Sequence, residues 1–168
     1  MRSEIDAAAA DRRGTIRVCR TESGAALVEL AITLPLLAVV LIGTLDFGRA
    51  FRMAMIVTNA ARAGAQYGGH SLTRSADTAG MEAARDEVFS ANDITPDAVP
   101  TPVRTCECVN DTAGSSGVVA CSTTCATGDH LVVSVTVTAA ATFTMASPLP
   151  GLSSSFPITR TATMRVNY

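Results

Sequence analysis

Three patterns of apolar and polar positions follow one another along the chain, and each predicts a different element. Residues 25–45 are almost entirely apolar and carry one charge, Glu29, and these 21 positions match the length of about 20 residues that a helix needs to cross a hydrocarbon core. Beyond this run, small or apolar residues recur every three or four positions, which is the helical period. They are Phe47, Ala50, Phe51, Ala54, Met55, Thr58, Ala61 and Ala65. Because two glycines at 68–69 predict a helix end, we expect one helix over residues 25–67, its second half packed on the chain's own sheet or on a partner.

A second helix is predicted from Ser75 to about Ala91, where apolar and charged positions separate onto two faces. The apolar face comprises Met81, Ala84 and Val88. The charged face, which we expect in solvent, comprises Glu82, Arg85 and Asp86. Three prolines between residues 96 and 102 then indicate a loop.

The last third of the chain alternates between apolar and polar residues, which predicts strands with one buried face. Odd positions over residues 131–145 are apolar, and the even positions between them are mostly serine and threonine. Residues 147–151 interrupt the alternation with two prolines, and it resumes at Ile158. Since the connection between these two strands is too short for a parallel crossover, we expect an antiparallel hairpin. Arg160 places a charge at a position where the alternation calls for an apolar residue, which indicates an edge strand or the end of a strand. Shorter strands are predicted within residues 99–109 and 118–122.

Five cysteines fall on the two sides of the apolar run. Cys19 precedes it, and the four that follow it are Cys106, Cys108, Cys121 and Cys125. An even set confined to one side of a membrane favours disulfides formed in an oxidising compartment, with a thiolate metal site and free thiols as alternatives. A disulfide between cysteines two positions apart would be strained. The simplest outcome is therefore two bridges, each joining one cysteine of the pair 106/108 to one of the pair 121/125, and which joins which stays open. The predicted fold class is therefore α+β: a long N-terminal transmembrane and amphipathic helix, a second helix, and a small antiparallel sheet stapled by disulfides.

Composition and charge argue against several classes of function. A formal charge of −2, with no basic patch that interleaves aromatics, argues against a nucleic-acid partner. The two histidines, His70 and His130, lie in no catalytic motif, and the sequence contains neither a phosphate-binding glycine loop nor a carboxylate pair placed for a pocket. We therefore expect neither an enzyme nor a bound cofactor or metal.

The apolar run is interpreted as a retained membrane anchor rather than a cleaved secretory signal. A secretory signal has an apolar core of about 7–15 residues and a small-residue cleavage site, whereas Asp46-Phe47-Gly48-Arg49 follows this run. Five arginines precede the run and three follow it closely, so the positive-inside rule places the N-terminus in the cytoplasm. The placement of the cysteines agrees with this orientation.

Glu29 is the one charge in the run, and a charged side chain within an apolar span costs roughly 2.5–3.5 kcal/mol on insertion scales. One interpretation is that its side chain reaches back to the membrane interface. The other requires a cation. Cleavage after Gly24 would create an α-amino group on Ala25, positive at neutral pH and one helical turn from Glu29. Glu29 would then pair with its own terminus or with that of a neighbouring subunit, which would set the axial register of packed helices.

These residues resemble those of a known family. Gly24 followed five positions later by Glu29 resembles the processing site of type IV pilins and pseudopilins. The sequence of residues 24–31, followed by Leu34-Pro35-Leu36-Leu37 and Asp46-Phe47-Gly48-Arg49, is similar to the TadE-like family, the minor pseudopilins of the tight-adherence (Flp) pilus system. The alanine-rich segment 60–65 also resembles the family's helix after the membrane span, and the resemblance covers about residues 22–69.

The resemblance implies a leader peptide of residues 1–24, a prepilin peptidase that cuts between Gly24 and Ala25, and a transmembrane and extended helix over residues 25–69. It implies a bacterial inner-membrane protein with a periplasmic domain, residues 70–168, that carries the cysteine-bearing loop 106–125; an extracellular pilus is a further location. Implied partners are other pilins and pseudopilins, inner-membrane pilus assembly proteins, the peptidase and membrane lipid. The alternative interpretation is a single-pass envelope binding or adhesion module that keeps its N-terminus.

Overall fold

The computed structural model describes residues 23–110, 112, 114–146 and 153–167. The predicted leader up to residue 22, with Cys19, and the predicted break in the alternation at 147–151 lie outside the described residues. By its internal contacts the described part of the chain divides into two units, with the boundary between Leu41 and Ile42.

The first element is a single α-helix, α1, from Ser23 to Gly69. It confirms the predicted long helix and its end at the glycine pair, and it continues through Pro35. Its apolar part is exposed along residues 24–37, and the helix is long and apolar enough to cross a membrane. An N-terminal apolar helix of this kind suggests membrane anchoring.

Two further helices and four strands follow. They are α2 (Leu72–Ser75), α3 (Thr78–Ser90), β1 (Val103–Asn110), β2 (Gly114–Val119), β3 (His130–Thr144) and β4 (Ser155–Arg165). The strands form one antiparallel sheet in the order β2-β1-β3-β4. The predicted β3–β4 hairpin is confirmed, with a register that runs from Ser134↔Arg165 to Thr144↔Ser155. Arg160 is exposed and lies on the edge strand β4, as its charge in the apolar phase indicated.

The core lies between one face of the sheet and the helices α1 and α3. Odd-numbered residues of β3 from Val133 to Phe143 are all buried, which confirms the predicted alternation. They pack with buried residues of the two helices, namely Val57, Ala60, Ala61, Ala65, Met81 and Phe89. Val133, Val135 and Val137 are at most 1% exposed, and burying each such side chain contributes about 1.5–3 kcal/mol.

The face of α1 that meets the sheet differs from the predicted stripe. Ala61 and Ala65 are buried as expected, but Phe47, Phe51 and Met55 are 73%, 60% and 51% exposed. The buried face also includes Ile56, Val57 and Ala60, which the predicted stripe left out. A spacing of three to four residues describes any face of a helix, so the period alone did not identify the side that the sheet covers.

The prediction of the second helix is wrong in two respects: the residue at which the helix begins, and the exposure of one residue predicted to lie in solvent. The chain makes the short helix α2 first, and Asp77 then caps α3 by accepting a hydrogen bond from the backbone of Gly80 at 2.9 Å. Arg85, expected in solvent, is 8% exposed. It pairs with Asp86 and donates to the carbonyl oxygen of Thr138 at 3.4 Å. The β1–β3 pairing stops at Thr136, so this carbonyl is left for a side chain to satisfy.

Two hydrogen bonds hold residues 46–69 of α1 along the sheet, one at each end. The backbone N–H of Asn167 donates to the carbonyl of Gly69 at 3.0 Å. The backbone N–H of Ala146 donates to the Asp46 carboxylate at 3.3 Å. The start of β3 therefore lies beside the C-terminal end of α1, and the end of β3 lies beside Asp46.

Candidate functional site

Gly24 and Ala25 lie in the first turn of α1, and both are exposed. A Cβ atom built on Gly24 meets nothing within 4 Å. The same atom on Gly64 would lie 2.8 Å from the carbonyl oxygen of Met81 and 2.9 Å from a Val137 methyl group. Gly64 is thus required by the chain's own packing, whereas nothing in the described part of the chain requires a glycine at position 24.

Glu29 lies four residues after Ala25 on α1, a rise of about 6 Å, and its side chain is exposed. Its backbone carbonyl accepts a hydrogen bond from the Thr33 hydroxyl at 2.9 Å. Among the residues that the structure describes, none forms an ion pair with its carboxylate. The structure therefore brings Gly24, Ala25 and Glu29 together within two turns of one helix and leaves the carboxylate open to a cation.

The four cysteines after the apolar run form two disulfides between the close pairs. Cys106 bonds to Cys121 and Cys108 to Cys125, with Cα atoms 5.1 and 5.7 Å apart. Both bonds join β1 to the segment that follows β2, and Cys106 and Cys108 are buried. Because all four sulfurs are bonded in pairs, they are not available as metal thiolates. Within the described ranges, no cluster of three or more metal-binding side chains occurs.

A junction that no pattern in the sequence predicted ties the end of α1 to the start of α3. The Tyr67 hydroxyl donates to Asp77 Oδ2 at 2.8 Å, and the Arg74 guanidinium lies 4.9 Å from the centre of the Tyr67 ring. The backbone N–H of Gly80 and then the Tyr67 hydroxyl lower the pKa of Asp77. The hydrogen bond to Asp77 is also the main cause that raises the pKa of Tyr67. The role of Asp77 as an N-cap could have been predicted, since aspartate is favoured at that position, but its contact with Tyr67 could not.

Hydroxyl groups on the outer face of the sheet pair with one another. Thr136 and Thr163 lie 2.9 Å apart, and Thr138 and Thr161 lie 3.3 Å apart, in cross-strand hydrogen bonds. These threonines have a structural explanation as a ladder that joins β3 to β4.

The two histidines lie at the ends of elements: His70 follows the last residue of α1, and His130 is the first residue of β3.

Residues 24–66 match the model of a family described as TadE-like protein. The matched segment begins at Gly24 and lies within α1, so the resemblance inferred from the sequence is confirmed for this helix. The family is structural and pilus-associated, and it is not a family of enzymes. No curated protein and no solved structure matches this chain significantly.

Proposed function

We propose that this chain, which carries a TadE-like segment at residues 24–66, is a pseudopilin-like structural component of a tight-adherence (Flp) pilus or a related secretion system. Residues 25–45 would anchor it in the bacterial inner membrane. The observation that carries the proposal is the position of the match: it begins at Gly24, five residues before the one carboxylate of the apolar run 25–45. A plain membrane anchor has no need for that arrangement.

A prepilin peptidase would cut between Gly24 and Ala25. Support comes from the surroundings of Gly24, where a side chain would meet no other part of the described chain. Gly43 and Gly48 are as open as Gly24, but only Gly24 lies five residues before Glu29, at the start of the matched segment. This position is what supports recognition of Gly24 by a peptidase.

After cleavage, the α-amino group of Ala25 would neutralise a Glu29 carboxylate. The amine is positive at pH 7, because its ordinary pKa is about 7.7–8.0. Two unit charges 4 Å apart attract by about 1 kcal/mol in water and about 4 kcal/mol at an effective dielectric constant of 20. The pairing is therefore worth most within the membrane. If the amine and the carboxylate belong to neighbouring subunits, their pairing would hold the two helices in one axial register.

The domain that follows α1 would lie in the periplasm. The two disulfides, Cys106–Cys121 and Cys108–Cys125, support a periplasmic location, since the periplasm is oxidising and the cytoplasm is reducing. The excess of arginines before the apolar run supports the same orientation.

The N-terminus of the protein extracted from membranes of its native host tests this proposal. We expect Edman sequencing and intact-mass measurement to give a chain that begins at Ala25. A chain that begins at Met1, with no shortened form, would overturn the processing step and leave the single-pass envelope binding module as the better description.

Substitution of Glu29 by alanine tests the registry role. We expect the variant to enter the membrane at least as well as the wild type, because a charge costing roughly 2.5–3.5 kcal/mol in lipid is removed. Its co-purification with other pilus components should fall, and Glu29→Asp, which keeps the charge, should retain more of it than Glu29→Gln. Equal recovery of partners by all three variants would contradict the pairing of Glu29 with a terminal amine.

A further inference from the structure

Asp46 connects the membrane helix to the sheet. It is the first charged residue after the apolar run, and its side chain is only 14% exposed. Its Oδ1 atom accepts hydrogen bonds from Arg49 at 2.9 Å and from the backbone N–H of Ala146 at 3.3 Å. Ala146 follows the last residues of β3. The end of the β3–β4 hairpin is therefore bound to the residue at which the chain leaves the apolar run.

The direction of β3 places this hairpin end at one extreme of the sheet. Near its start, β3 pairs with the disulfide-bonded part of β1, through Cys106↔Val133 and Cys108↔Leu131. Near its end, Thr144 pairs with Ser155, next to Ala146. The two disulfides and the hairpin end thus occupy opposite ends of the strand.

Phenylalanines occur on both segments that meet at the hairpin end. Four of the five in the chain, Phe47, Phe51, Phe143 and Phe156, belong to this region, which we call the phenylalanine end. Phe47 and Phe51 are 73% and 60% exposed, and the partly exposed Phe156 packs on Phe143 with ring centres 5.4 Å apart. The Arg49 guanidinium lies 5.6 Å from the centre of the Phe143 ring.

The distances along α1 match the thickness of a lipid headgroup layer. Phe47 lies two residues and Phe51 six residues beyond Leu45, a rise of about 3 and 9 Å. The polar layer on each side of the roughly 30 Å hydrocarbon core is about 5–8 Å thick. The charges in residues 42–58 are Asp46, which is paired, and two arginines, while the described hairpin residues 142–146 and 153–158 carry none. Exposed aromatic rings beside arginines are typical of surfaces that lie in the membrane interface.

We propose that the phenylalanine end is seated in the headgroup layer of the bilayer, so that the sheet touches the membrane through its β3–β4 hairpin as well as through α1. This inference rests on the membrane anchoring in the proposed function. It adds a second lipid contact, which would hold the hairpin at the membrane and direct the disulfide-bonded end of the sheet away from it.

Single tryptophans test this contact, since the chain has no natural tryptophan. Three full-length variants would be reconstituted separately into phosphatidylglycerol–phosphatidylcholine vesicles with brominated acyl chains. Phe156→Trp reports on the hairpin end, Leu37→Trp on the apolar run, and Val118→Trp, at a residue 72% exposed on β2, on the opposite end of the sheet. We expect bromolipid quenching of Phe156→Trp to be weaker than that of Leu37→Trp and clearly stronger than that of Val118→Trp, with a blue-shifted emission for the hairpin variant.

Each failure has a separate meaning. Strong quenching of Leu37→Trp with equal, weak quenching of the other two variants would overturn the hairpin contact and leave the anchor intact. Weak quenching of Leu37→Trp would overturn the anchor and this inference together. A blue shift of Phe156→Trp that grows with protein density and is insensitive to brominated lipid would identify a second protein chain as the occupant and would also overturn the inference.

Discussion

Replacement of Gly24 by valine is expected to leave the chain uncleaved when it is coexpressed with a prepilin peptidase. A β-branched side chain at the proposed scissile bond would displace the backbone from the position the peptidase requires. A misplacement of 1 Å at a reacting bond can slow a reaction roughly 100-fold. Intact-mass measurement should show the full chain for Gly24→Val and the chain from Ala25 onward for the wild type.

The matched control is Gly43→Val. Gly24 and Gly43 both lie on α1, and a side chain at either meets nothing within 4 Å, so the two substitutions have the same effect on internal packing. Only Gly24 adjoins the proposed cleavage site, so Gly43→Val should be processed like the wild type. Normal processing of Gly24→Val would remove the case for a prepilin-type cleavage here.

Replacement of Gly64 by valine is expected to give a large loss of stability in the domain. A Cβ at this position would lie 2.8 Å from the Met81 carbonyl oxygen and 2.9 Å from Val137 Cγ1, and the two further methyl groups would need space as well. Since Met81 and Val137 are fully buried, α1 would have to move away from both α3 and β3. Overpacking of this kind costs about 3 kcal/mol, and we expect the unfolding temperature of the detergent-solubilised protein to fall by about 10 °C in calorimetry.

Gly48→Val provides the comparison. Gly48 is exposed on the same helix, and a Cβ there meets nothing within 4 Å. The intrinsic helix propensity changes equally in both variants, so their difference reports packing alone. Gly48→Val should change the free energy of unfolding by about 0.5 kcal/mol or less. Equal stability of the two variants would show that α1 does not approach α3 and β3 as closely as described.

Local sequence patterns were sufficient to predict those features of the fold that depend on one physical rule acting on neighbouring residues. The alternation from Val133 to Phe143 predicted β3 and its buried face, because side chains of a strand point alternately to its two sides. The apolar run predicted α1, and the short connection predicted the β3–β4 hairpin. The spacing of Cys106 and Cys108 argued against a bond between them and made two bridges between the pairs the simplest outcome, which the structure confirms.

The candidate site could also be located from the sequence, because its three residues are close along one helix. Gly24, Ala25 and Glu29 need no tertiary contact to come together. The junction of Tyr67 with Asp77 escaped prediction because it joins residues of different helices, and no local spacing encodes that meeting.

By itself, the sequence determined the long helix α1, the β3–β4 hairpin, the membrane-length apolar run with its single carboxylate and the resemblance to TadE-like proteins. Only the tertiary structure decided which cysteines pair, which face of α1 is buried, and that Arg85 is buried where it donates to the carbonyl of Thr138 on β3. It also decided that Phe47 and Phe51 are left outside the core, beside the hairpin end bound to Asp46. The physical reason is that period and propensity act within a few residues, whereas burial depends on which distant segment supplies the covering surface.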